Sequence, residues 1–116
     1  MYVEGFVTAV PKENKQAYLE LARKAAENFK KLGATRVVEC WQSDVPRGKN
    51  TDFFGAVKAK ENEDVLFSWI EYPSKEKRDE AEKKMMEDPE MKEMSKQMPF
   101  DGSRMIFGGF ESILDQ

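Results

Sequence analysis

The chain has 116 residues and a mass of 13.4 kDa, and 40% of it is hydrophobic and 35% charged, with eight Phe and two Trp. That is too much apolar and aromatic material for a disordered chain, and it is the amount one domain needs to build one core over residues 1–116. With 19 basic against 22 acidic residues and a pI near 5.2, nothing draws the chain to phosphate backbones or anionic lipid, so neither nucleic acid nor a membrane is expected as a partner.

Tyr2 to Val10 is rich in β-branched and aromatic residues and stops at Pro11, which predicts a first strand. From Lys12 to Leu32, Tyr18, Leu21, Ala22, Ala25, Phe29 and Leu32 recur at helical spacing, and Gly33 stands where a left-handed cap is wanted. Ala34 to Gln42 reads as a second strand, followed by an exposed loop over Ser43 to Asn50. Phe53 to Ala59 fits either a short strand or a helical turn, whereas Asp64 to Tyr72 reads as a strand ended by Pro73. Ser74 suits the N-cap of a second helix reaching Glu87, broken at Asp88-Pro89 and resumed over Met91 to Met98. A turn through Pro99 to Gly102 leads to a last strand, Arg104 to Glu111.

The order β-α-β-β-α-β predicts an α+β, ferredoxin-like domain: an antiparallel sheet with its helices on one face. A solvated second face would show as strict polar alternation. Here both parities are apolar, with Val3 and Val7 opposing Phe6 and Val10, and Leu66 and Ile70 opposing Val65, Phe67 and Trp69. Something must cover that second face. A second copy of the chain, making a homodimer through the sheet, is the simplest cover; the alternative is the loop from Ser43 to Lys60 or the Met-rich segment folding over it.

The strings YVEGFVTAVPKENKQAY at 2–18, GATRVVECWQSDVPRGKNTDF at 33–53, VLFSWIEYPSKEKRD at 65–79 and MPFDGSRMIFGGFESILD at 98–115 resemble the YbaA-like family nearly end to end. The resemblance implies the dimeric α/β-barrel superfamily, in which ferredoxin-like units associate through their sheets and keep a cavity between sheet and helices. Its members include cofactor-independent oxygenases, haem-degrading enzymes and isomerases, so fold membership assigns no reaction.

The chain has no histidine, which excludes His-activated nucleophiles, the usual zinc spheres and axial-His haem. Gly102 and Gly108-Gly109 follow no phosphate-binding spacing. No cofactor is expected, and the acidic residues of Glu76 to Glu82 read as a solvated helix surface. Cys40 is the only cysteine; it is expected to be buried and slow to react, and a lone thiol with no visible export segment suggests a cytoplasmic protein. Glu4, Glu39 and Glu71 interrupt apolar strands, so each is exposed at a strand end, pairs with Arg36 or Arg104, or sits at a cavity wall as a general acid or base. Trp41 and Trp69 either pack the core or line a pocket. These five are the candidate ligand contacts. Glu39 leads, because Val38 and Cys40 on one face turn Glu39 and Trp41 together to the other; if buried in an ion pair, its loss would cost about 3–5 kcal/mol. Met85, Met86, Met91, Met94 and Met98 form either a lid or ordinary helix packing. Three functions fit: a homodimer binding a small organic molecule in the cavity, a cofactor-independent oxygenase or isomerase using a carboxylate, and a non-catalytic protein-interaction module.

Overall fold

The computed structural model describes all 116 residues. Strand β1 (Tyr2–Pro11) runs into a 3-10 turn at Lys12–Asn14 and helix α1 (Lys15–Lys31), and β2 (Arg36–Trp41) follows. The helical turn α2 (Phe53–Ala56), β3 (Glu63–Tyr72), α3 (Lys75–Glu87), α4 (Pro89–Ser95) and β4 (Ile106–Glu111) complete the chain. The sheet order is β2-β3-β1-β4, every pair antiparallel. This is the ferredoxin-like arrangement the element order predicts. No helix is long and apolar enough to cross a membrane.

Local chemistry explains the boundaries. Gly33 takes φ +120°, which only glycine adopts without strain, and the amides of Gly33 and Ala34 then close on the carbonyls of Lys30 and Phe29. Ser74 Oγ accepts from the Lys77 amide at 3.2 Å, the predicted N-cap. Asp88 is extended before Pro89 and accepts from the Glu90 amide at 2.9 Å, so one residue ends α3 and starts α4. The last strand begins two residues later than its sequence suggests, because Asp101 holds a 3-10 turn over Gly102–Arg104.

Alternation sends Tyr2, Glu4, Phe6, Thr8 and Val10 of β1 to one face of the sheet, with Val37, Glu39 and Trp41 of β2 and Leu66, Ser68, Ile70 and Tyr72 of β3. Helices α1 and α3 cover this face, burying Tyr2, Ala34, Ile70, Tyr72 and Ala81 in one cluster and Val10, Tyr18 and Leu66 in another. On the opposite face α2 caps one end, where Phe54 and Val57 bury Ala9 and Val65. The rest of that face is open. Only 16 of 116 residues are buried in the single chain, and Phe67, Ile106 and Phe110 of the open face are 49%, 45% and 65% exposed. The loop thus covers part of the second face, as one of the two sequence readings has it, and leaves most of it bare. Cys40 is exposed on β2, against the expectation that it is buried. It stands on an edge strand across the ladder from Phe67, in a shallow pocket that Phe53 of α2 also lines.

Candidate functional site

Between α1 and the sheet lies a cavity of about 150 Å³. Three alanines of α1, Ala22, Ala25 and Ala26, face it and leave the room that longer side chains would fill. Asn14 Nδ2 donates to the Pro99 carbonyl at 2.8 Å, tying the start of α1 to the turn that lays Met98 and Phe100 along the same cavity. The lining is apolar except for one cluster. Thr8 and Ser68, both buried, lie on the sheet beside Glu39, which stands directly across the ladder from Ser68, and Tyr18 Oη donates to Glu39 Oε1 at 2.7 Å.

Burial, then the Glu39 carboxylate it faces, drives the Tyr18 phenol far above its ordinary value near 10, so this hydroxyl stays a donor. The Glu39 carboxyl is also pushed above its ordinary value near 4.5, because removal from water outweighs the hydrogen bonds from Tyr18 and Ser68 that favour its charged form. Glu39 as a residue is nonetheless exposed, since it stands on an edge strand at an open cavity. Its partner is a neutral phenol. The ion pair that would make its loss costly is absent.

A second lobe of about 220 Å³ adjoins the first, and the two share Phe6, Phe29, Ile70 and Met105. Together they reach the lower end of the roughly 300–1,000 Å³ typical of small-molecule sites. At its far end Arg78 Nη1 bonds Glu4 Oε2 at 2.5 Å, with the two side chains 15% and 12% exposed. Arg78 also bonds Tyr2 Oη at 3.3 Å and Asp79 Oδ1 at 2.8 Å. Burial, then the Glu4 carboxylate, raises the Tyr72 phenol to about 12. Of the three candidate strand carboxylates, Glu4 is therefore the one that is buried and paired with a cation, although Glu39 is the stronger candidate from sequence.

The five candidates divide between two faces. Glu4, Glu39 and Trp41 lie on the helix side, and Trp69 and Glu71 turn to the open side, where Trp69 Nε1 donates to Glu71 Oε2 at 2.9 Å, although Trp69 also borders the helix-side cavity. Arg36 approaches Glu71 at 3.6 Å, one of the predicted partners, whereas Arg104 is held by Glu63 and Asp101. Trp41 shares a face with Glu39 but does not line its cavity. The Tyr18 ring stands beside it, centroids 6.4 Å apart, and the Trp41 indole donates to Asp64 Oδ2 at 2.9 Å. Of the Met-rich segment, Met85 and Met98 line the cavity, Met91 Sδ accepts from Asn28 at 3.3 Å, and Met86 is exposed. Tyr18 and Arg78 escape a sequence reading, since one occupies an ordinary apolar helix position and the other sits in a run of surface charges. The one available signal was the spacing Arg78, Ala81, Met85, which puts Arg78 on the inner face of α3 with the fully buried Ala81.

The chain matches the family described as proteins of unknown function (DUF1428) over residues 1–102. It is 68% identical over 115 residues to the uncharacterized protein YbaA of Escherichia coli, covering 99% of this chain and 98% of that relative. Among solved structures it is similar to a dimeric ferredoxin-like protein from an uncultured marine organism, with TM-score 0.67, 13% identity and 100% and 98% of the two chains covered. It is also similar to SnoaB, a cofactor-independent oxygenase from Streptomyces nogalater, with TM-score 0.57, 11% identity and coverage of 98% and 95%. At such identities these two likenesses concern the fold alone.

Proposed function

The chain belongs to the DUF1428 family, and from that premise we propose that it works as a homodimer, paired through the open sheet face, that binds a small and mostly apolar organic molecule in the sheet–helix cavity. The observation carrying the ligand reading is the cavity itself, an apolar space with one hydrogen-bonded pair, Tyr18 and Glu39, at its wall. Sites for small molecules combine these features, burying an apolar body and fixing its orientation with a few polar groups. Dimerisation is supported by the exposed Phe67, Ile106 and Phe110, an apolar area that a monomer would leave in water, and by the dimeric state of a protein of the same fold.

A second reading, proton transfer without a cofactor, is favoured by the raised Glu39 carboxyl beside a phenol donor. A base held nearer neutrality transfers protons more effectively than an ordinary carboxylate. A role in holding another protein has only the open face in its favour, and the second copy already accounts for that face.

A thermal-shift panel of small organic molecules against the full chain tests the ligand reading, with Ala25→Phe as the control. The new ring enters the space that the α1 alanines leave open. At least one compound should raise the melting temperature of the native chain and have no effect on Ala25→Phe. A panel that stabilises neither protein, or both alike, would overturn the assignment of the cavity.

A further inference from the structure

The charged groups lining the two lobes are the carboxylates of Glu39, Glu4 and Glu82 and the single guanidinium of Arg78. Arg78 is already spent. Its Nη1 serves Glu4 at 2.5 Å, its Nη2 serves Tyr2 Oη at 3.3 Å and its Nε serves Asp79 at 2.8 Å. Glu82 lies 3.6 Å from Nε with its side chain 51% exposed, beyond hydrogen-bond distance and with acceptor capacity left over. The same lobe is walled by the rings of Phe6, Phe29, Tyr72 and Phe107.

An anionic ligand would enter a space holding three carboxylates and no cation without a partner. An ammonium group would meet aromatic faces, which attract cations, and a carboxylate able to make a charge-assisted hydrogen bond. We propose that the molecule bound in the cavity is an organic amine with an apolar body: its ammonium sits against Glu82 in the second lobe, and its body runs past Phe6 and Phe29 toward Tyr18 and Glu39. The Glu4–Arg78 pair contributes no net charge and closes the end of the lobe. This proposal rests on the small-molecule reading and adds the charge class of the ligand.

Calorimetric titration of the full chain near neutral pH with phenethylamine, phenethyl alcohol and hydrocinnamate tests it, since the three share a body and differ in charge. The amine should bind roughly tenfold more tightly than the alcohol, as a charge-assisted contact allows, and hydrocinnamate should give no binding. Glu82→Gln, which keeps the shape of a half-exposed side chain at the rim of the lobe and removes its charge, should remove most of the amine's advantage and leave the alcohol unchanged. Equal affinity for amine and alcohol, tighter binding of hydrocinnamate, or an amine indifferent to Glu82→Gln would overturn the proposal. Those outcomes leave the small-molecule reading standing, whereas absence of heat with all three probes counts against both.

Discussion

Glu39 and Glu63 respond to pH in opposite senses. The Glu63 carboxyl is held below its usual range near 4.5 by the Arg104 fork, 2.6 Å away at Nη2, so the unfolded chain binds the proton more readily. Its contribution is complete above the ordinary value and is lost as pH falls through the depressed one. Glu39 is raised by desolvation, so the folded chain holds the proton more tightly, and stability falls as pH rises from the ordinary value through the elevated one. Glu39→Gln removes that penalty without breaking an ion pair. In denaturant unfolding at fixed protein concentration, the variant should gain on the native chain as pH rises above the ordinary carboxylate range; a gap that stays constant or closes would contradict the desolvated carboxyl. Tyr18→Phe removes a hydrogen bond that favours ionised Glu39, and an NMR titration of that carboxyl should move further upward. Arg78→Met leaves Glu4 buried without its cation, at a cost of about 3 kcal/mol, the low end for a broken buried pair because both groups keep some contact with water. A loss within about 0.5 kcal/mol, as for a surface position, would return Arg78 to the solvated charge that its sequence context suggests.

Strand periodicity is the part of the fold most legible in the sequence. Because side chains alternate, reading Val38 and Cys40 onto one face places Glu39 on the other, and the structure puts Glu39 at the cavity. Which strand lies at an edge is set by long-range pairing, and for that reason Cys40 reads as buried and is exposed. The same gap affects the site: the period of α1 marks Tyr18 as inward, but only the packing of α1 on the sheet brings its hydroxyl to Glu39. Residues 53–59 are ambiguous because a short apolar run fits either period. They form α2 since Asp52 caps it, accepting from the Gly55 amide at 2.6 Å, and Phe54 finds a buried place over Ala9 and Val65. Phe54→Ala should therefore cost about 3 kcal/mol and expose the adjoining end of the sheet to thiol-independent probes such as hydrogen exchange at Val65. Unchanged protection there would mean that α2 does not seal this end.

At the scale of the whole molecule, the two faces of the sheet divide the work between them. The helix side keeps the cavity and its carboxylates, and the open side offers Phe67, Trp69, Ile106 and Phe110 around a hydrogen-bonded Trp69–Glu71 pair. Pairing two copies through that side would bury apolar surface worth roughly 25 cal/mol per Å² and would cover Cys40. Phe110→Asp, placing a charge on that surface, should shift the chain toward a monomer in light scattering without disturbing the cavity; a dimer unaffected by it would place the interface elsewhere. Native mass spectrometry of the chain, incubated with the strongest stabiliser from the small-molecule panel, tests both faces at once. The expected result is a species of about twice 13.4 kDa carrying two ligand molecules, and an Ala25→Phe dimer carrying none. A monomer at the same concentration, or native and Ala25→Phe chains that retain the ligand equally, would contradict it.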